Sequence, residues 1–218
     1  SRYTRHRESL LLDGPRLAYA QFIHELAAEV ERSFGSHWSV RAGGGFDSAS
    51  TPEAGDKPTR ARTDAGAASA RIECQATAQV TLHASYAHRR RFPALRELYS
   101  GALGRFVPNP DLAPETQDLW ELGLVARDHR AEAGLTGFAS WLDGAIERVE
   151  LDDGTGRFQR VNLDRVRTLG LELVTIWRPH PAWEIGGHFT ALYARRWRED
   201  GYAGWLEDRP AAISFISA

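Results

Sequence analysis

The chain has 218 residues, 26% of them charged and 42% hydrophobic, with 27 basic against 29 acidic side chains and a net charge of -2. That balance argues against a disordered tail or a polycation that coats nucleic acid. No run of roughly 18 apolar residues occurs and the mean hydropathy is -0.43, which excludes a transmembrane helix but leaves open a membrane β-barrel, whose strands alternate lipid-facing and water-facing side chains.

The first residues, Ser1 to Arg7, hold no apolar stretch of the kind a signal peptide needs. Residues 18–30 alternate weakly and also fit an amphipathic helix, because Glu25-Leu26-Ala27-Ala28-Glu29 favours helix. Their neighbours argue for strand, although His24 then lies on the apolar face. From Trp38 the period is two: Trp38, Val40, Ala42, Gly44 and Phe46 oppose Ser39, Arg41, Gly43, Gly45 and Asp47. The pattern recurs in residues 70–77 and 80–87, more weakly in 120–126 and 133–141, and again in 168–177 and 183–193. In the five clear segments one face carries no charge, while the other carries Arg41, Asp47, Arg71, Glu73, Glu172 and Glu184. About nine strands are predicted: 17–33, 38–48, 66–77, 80–89, 115–127, 131–149, 157–178, 182–196 and one from 209.

Short links at residues 34–37, 78–79, 128–130 and 179–181 alternate with long ones at 49–65, 90–114, 150–156 and 197–208. All tight turns therefore fall at one end of the strands and all long loops at the other, as in an outer-membrane barrel. Trp38, Trp177 and Trp183 lie on the apolar face beside short turns, where an interfacial girdle belongs, and Phe46, Tyr86, Trp141 and Tyr193 lie on it towards the long loops. Trp183 and Tyr193 are ten residues apart. At about 3.3 Å per residue and a tilt near 40°, the two rings stand roughly 25 Å apart along the membrane normal, the height of an outer-membrane apolar band.

The single cysteine, Cys74, excludes a disulfide framework and a cysteine-built metal site. No Gly-x-Ser-x-Gly elbow, phosphate-binding loop or His-Glu-x-x-His helix occurs, and Asp152-Asp153-Gly154 reads as a turn rather than a paired-carboxylate site. His83 and His188 fall on the polar face as ordinary water-facing groups. Neither an enzymatic activity nor a cofactor is expected. Arg90, Arg91 and Arg105 place positive charge in and beside a long loop, where an anionic ligand or lipopolysaccharide phosphate finds a complement.

Phe92-Pro93-Ala94-Leu95-Arg96-Glu97-Leu98-Tyr99, then Asn109-Pro110-Asp111-Leu112-Ala113-Pro114-Glu115, then Trp120-Glu121-Leu122-Gly123, occur in that order. Asn162 follows at the head of a segment that ends in Gly170-Leu171-Glu172. Together these elements resemble the barrel of TonB-dependent outer-membrane receptors over roughly residues 17–210. The resemblance marks Pro93, Leu95, Glu97, Leu98, Tyr99, Asn109, Pro110, Leu112, Pro114, Glu115, Glu121, Gly123, Asn162, Gly170 and Glu172 as family positions.

Their own chemistry is architectural. Pro108, Pro110 and Pro114 stiffen a loop ahead of a strand. Gly170 leaves room for close approach on the polar face, and Glu172 needs an arginine or amide partner there. The resemblance implies an antiparallel transmembrane β-barrel of about 22 strands with an amino-terminal plug. This chain, residues 1–218, is expected to be a part of that barrel, lacking the plug and the terminal strands.

It further implies a Gram-negative outer-membrane location and uptake of a ferric siderophore, heme or cobalamin-like compound, energised by the TonB complex, with no nucleic acid involved. The alternatives are a soluble all-β lectin-like sandwich, whose apolar face would pack on a second sheet, and a barrel enzyme, for which no nucleophile with a partnered base is found.

Overall fold

The computed structural model describes residues 2–8, 16–101, 104–197, 203–205 and 211–217. Strands dominate it. They are β1 (Arg2–Glu8), β2 (Leu17–Phe34), β3 (Trp38–Ala54), β4 (Arg60–Gln75), β5 (Val80–Arg91), β6 (Phe106–Val107), β7 (Glu115–Arg127), β8 (Ala131–Glu150), β9 (Phe158–His180), β10 (Trp183–Trp197), β11 (Ala203–Trp205) and β12 (Ala212–Ser217). One five-residue helix, α1 (Leu95–Tyr99), lies between β5 and β6.

All twelve strands belong to one sheet in the order β1-β2-β3-β4-β5-β7-β8-β9-β10-β11, with β12 also paired to β10 and β6 paired to β9. Every pairing is antiparallel except that of β6 with β9. Consecutive hairpins thus build an open wall, a partial barrel of the expected class.

The registers fix the faces. Directly paired residues share a face, and the pairs chain across eight strands as Val30, Ala42, Ala70, Tyr86, Trp120, Ala139, Leu169 and Tyr193. A parallel row runs Phe34, Trp38, Cys74, Leu82, Leu124, Leu135, Leu173 and Phe189. This second row starts at a tight turn in β2 and reaches mid-strand in β10, the stagger of a tilted, sheared barrel wall.

Neither row is covered by protein: Val30 is 67% exposed in the first and Phe34 49% in the second. The opposite face holds the charged ladder. Arg41 donates to Glu31 at 2.7 Å, Arg71 to Glu73 at 2.8 Å, and the Ser85 hydroxyl to Glu121 at 2.7 Å. That polar face is the one on which the chain packs further structure, since Phe92 buries against Ala49, Ala65 and Ile23. A sandwich would do the reverse and cover the apolar side.

Differences from the sequence reading concern the long-loop ends. Residues 49–65 are not a loop: β3 runs on to Ala54 and β4 starts at Arg60, leaving a tip of five residues. Beyond the apolar band nothing forces alternation, so the strand continues without its sequence signature. Residues 18–30 are strand, and His24 pairs with Ser48 on the apolar face. Of the strand expected from 209, residues 209–210 lie outside the described residues, and β12 begins at Ala212. The tight turns fall at 35–37 and 128–130 as expected, at 76–79 rather than 78–79, and at 181–182 rather than 179–181, because β9 runs on to His180.

Candidate functional site

Above the ring of Tyr86, Trp120, Trp141 and Tyr193, the segment between β5 and β7 turns inward and crosses the polar face. Pro93, almost wholly buried, offers its carbonyl to the Gln21 amide at 2.8 Å. Leu95, Leu98 and Tyr99 of α1 then form one core with Tyr19, Ala54 and Leu112. Leu98 and Leu112 have no exposed surface. Helix start chemistry comes from Glu97, whose carboxylate accepts the Ala94 N–H at 2.8 Å. The Tyr99 hydroxyl donates to the Pro58 carbonyl at 3.0 Å, and burial pushes the phenol above its ordinary range.

The family residues hold this segment to the wall. Arg91 sits between two carboxylates, donating to Glu115 at 2.5 Å and to Glu97 at 2.8 and 3.2 Å. Glu115 also accepts the Ile146 N–H at 2.7 Å. Asn109 accepts the Asp111 N–H through its side chain and donates to the Arg160 carbonyl at 2.9 Å, while its backbone N–H donates to Leu98. Asn162 accepts the Ala113 N–H at 2.8 Å and donates to the carbonyls of Ala113 and Gly144 at 2.9 and 2.7 Å. Pro110 and Pro114 bracket Leu112, and the Arg60 guanidinium donates to its carbonyl. These contacts account for the spacing of the Asn-Pro-Asp-Leu-x-Pro-Glu element: two amides and one carboxylate satisfy backbone that a long loop would otherwise leave to water.

Lower on the polar face the two family glycines have a common role. The Phe138 ring lies across Gly170 on the neighbouring strand, and the His83 imidazole lies across Gly123. Glu172 finds neither an arginine nor an amide. Its partner is His188 at 3.0 Å, which the Thr190 hydroxyl also meets at 3.0 Å. Among the described residues no group of histidine, cysteine and carboxylate side chains is placed to hold a metal ion.

The three arginines singled out in the sequence do not converge. Arg91 is clamped in its carboxylate pair. Arg90 pairs with Thr116, which puts it on the apolar, outward face above Tyr86. Arg105 holds Phe158 through its backbone carbonyl at 2.9 Å, and its side chain is exposed.

What the structure offers instead is a recess of about 520 Å³ between α1 and the polar face of β1 and β2, lined by Arg2, Tyr19, Gln21, Phe92, Arg96 and others. Sequence reading missed it, because Tyr19 and Gln21 belong to no motif and meet Arg96 only through the inward fold of the loop. Asp153 is the turn residue expected: it accepts the Thr155 hydroxyl and N–H and an Arg157 N–H, and these hold its carboxyl down to about 2.

Known structures share this wall. The copper transporter OprC superposes with a TM-score of 0.76 at 18% identity, over 92% of this chain and 35% of that one. The pyoverdine outer membrane receptor FpvA from Pseudomonas aeruginosa PAO1 gives 0.71 at 13% identity, over 93% and 28%. The ferric-catecholate import receptor Fiu from E. coli K12 gives 0.68 at 17% identity, over 96% and 33%. The chain thus spans about a third of the length of these receptors. Comparison with curated protein sequences finds no match. The family model "TonB dependent receptor-like, beta-barrel" matches residues 14–214, nearly the whole chain. Its sheet topology and clamped inward loop agree with that match, and the chain belongs to the TonB-dependent receptor family, as part of its β-barrel.

Proposed function

We propose that this chain is a wall of an outer-membrane receptor that takes up a scarce nutrient, in the first instance a ferric siderophore or similar iron compound, with energy from the TonB complex acting on a plug outside residues 1–218. The observation that carries the reading is the uncovered apolar face, continuous over eight strands, with the inward loop on the other side. Such a face is stable where lipid covers it. A pyoverdine receptor and a ferric-catecholate import receptor are among its structural neighbours, and so is a copper transporter, which makes copper a necessary arm of the test. The reading is one of binding and transport, with no bond made or broken in the cargo.

The test uses the complete reading frame in a Gram-negative host lacking its own receptors. Uptake of radiolabelled iron from a panel of ferric siderophores is expected to appear with the gene and to vanish when tonB is deleted. Heme, cobalamin and copper run in parallel. Uptake that ignores TonB, or copper uptake alone, overturns the siderophore reading.

A second measurement addresses the lipid face. Leu173 lies mid-strand in the outward row of β9, so Leu173→Arg in the complete protein is expected to lower the unfolding free energy in bilayers by about 2–4 kcal/mol. Leu173→Arg without effect on bilayer stability would place that row away from lipid.

A further inference from the structure

The recess between α1 and the polar face of β1 and β2 has a floor and a rim of different chemistry. Tyr19, Gln21, Phe92, Leu95 and Tyr99 line it and are buried, whereas Arg2, Thr4 and Arg96 line it and are exposed. The strand register brings the two walls together. Arg2 pairs with Ile23 and Thr4 with Gln21, so both β1 side chains share the polar face with residues of β2 that lie under the inward loop, Ile23 against Phe92 and Gln21 bonded to Pro93. Arg96 comes from the opposite side, on α1, whose Leu95, Leu98 and Tyr99 are turned into the core with Tyr19.

Two features fix the class of ligand. The first is the floor. The Tyr19 and Tyr99 rings stand 5.8 Å apart at 40°, and both phenol oxygens are already engaged, Tyr19 by the Lys57 ammonium at 3.2 Å and Tyr99 by the Pro58 carbonyl. With Phe92 and Leu95 they leave a ligand aromatic and aliphatic surface, which suits a planar ring. The second is the charge. Three arginines and no aspartate or glutamate line the recess among the described residues. Arg91 is held by Glu97 and Glu115, which leaves Arg2 and Arg96 at the rim, one on each wall, as forks that suit a carboxylate. At about 520 Å³ the recess has the size that holds a small organic molecule or one arm of a larger chelate. An inorganic anion would leave the rings uncovered, and a neutral aromatic would leave the guanidiniums unused.

We infer that this recess binds an aromatic carboxylate, its ring against Tyr19, Phe92 and Tyr99 and its acid group on Arg2 and Arg96. One guanidinium belongs to the barrel wall and the other to the inward loop, so the bound acid ties the loop to the wall. The inference deepens the receptor reading and rests on it. Two sources present this chemistry to the recess, an arm of an iron chelate on its way in and a free aromatic acid.

The experiment is isothermal titration calorimetry of the complete protein in detergent at neutral pH, with 2,3-dihydroxybenzoate as the probe. Catechol keeps the ring without the carboxylate, acetate keeps the carboxylate without the ring, and the ferric complex of 2,3-dihydroxybenzoate presents the same acid as part of a chelate. Saturable binding of the free acid is expected, weaker by about tenfold or more for catechol, for acetate and for Arg2→Gln/Arg96→Gln. Competition between the free acid and its ferric complex assigns the recess to an arm of the cargo, and simultaneous binding of the two assigns it to a free acid.

Arg2→Lys/Arg96→Lys keeps the charge without the fork. It decides the matter if the glutamine pair fails to run as a folded, heat-modifiable band: preference for the acid over catechol is expected to persist, at reduced affinity. No binding by the complete protein, equal binding of the acid and catechol, or unchanged binding by the glutamine pair overturns the site. Failure here leaves TonB-dependent uptake and heat-modifiability of the wild type intact, whereas failure of the receptor reading removes both.

Discussion

Gly170→Leu is expected to abolish the folded, heat-modifiable form of the complete receptor, the largest effect of any single substitution on the polar face. Gly170 and Phe138 are direct cross-strand partners on β9 and β8. A Cβ at position 170 would stand 2.2 Å from the ring's Cζ and under 2.8 Å from both Cε atoms, so the ring must leave before any side chain can enter. It is flanked on its own face by Thr136 and Ser140 and faces Glu121 across to β7. Displacement therefore pushes an apolar ring into the water-filled side and strips the glycine backbone of its cover.

Gly170→Ala costs less, about 1–3 kcal/mol, the range of overpacking. Phe138→Ala in that background should recover part of the loss, although Phe138→Ala alone is destabilising. The analogous pair is gentler. A Cβ at Gly123 meets His83 at 2.5 Å, but an imidazole facing water turns aside without exposing apolar surface, so Gly123→Ala is expected to be the milder change. Urea unfolding midpoints in bilayers check the series, and a Gly170→Leu protein with the wild-type midpoint would refute the argument.

The strands were legible because the membrane writes them: a face in contact with lipid tolerates no charge, and period two follows. Where lipid ends, legibility ends. Residues 50–54 and 60–65 are strand with no alternation to show it, and α1 is too short to display a helical period. From sequence Glu172 calls for an arginine or amide, whereas its register partner is Thr190 and its bond goes to His188, two residues away on that strand, a diagonal contact only the register reveals. Arg90 and Arg91 read from sequence as neighbours in one positive field, yet both lie on a strand. Alternation sends Arg90 outward and Arg91 inward, and the inward one is consumed by Glu115 and Glu97. The pairing of Phe106 with Phe158 joins residues 52 apart and carries no local signal at all.

Arg91→Met is expected to release the inward loop, and to reverse its response to acid. In the wild type, burial raises the Glu97 carboxyl, but the hydrogen bonds from Arg91 and from the Ala94 N–H outweigh it and hold the group below its ordinary value. The Arg91 guanidinium is itself held above its ordinary range, first by its bond to Glu115. A carboxylate with a depressed folded-state pKa contributes stability that is full above its unfolded value, near 4.3, and disappears as pH falls through the lower, folded one. Wild-type loop protection therefore stays flat at neutral pH and declines in acid.

Removing Arg91 leaves the Glu97 and Glu115 carboxylates side by side without their shared cation, in surroundings where both are largely covered. Because the arginine itself is about half exposed, the loss is put at about 1–3 kcal/mol rather than the full cost of an uncompensated buried charge. With the Arg91 bonds gone, only the Ala94 N–H still opposes burial at Glu97, whose carboxyl rises. The penalty on that buried charge is then largest at neutral pH and falls as acid protonates it. The reporter is the Asn109 amide, which donates to Leu98 only while the loop is closed. Its hydrogen exchange, corrected for the intrinsic rate, should be fast at pH 7 and slower at pH 4 in Arg91→Met, with the opposite trend in the wild type. The same trend in both proteins would show that Asn162 and the apolar core of α1 hold the loop closed without the ion pair.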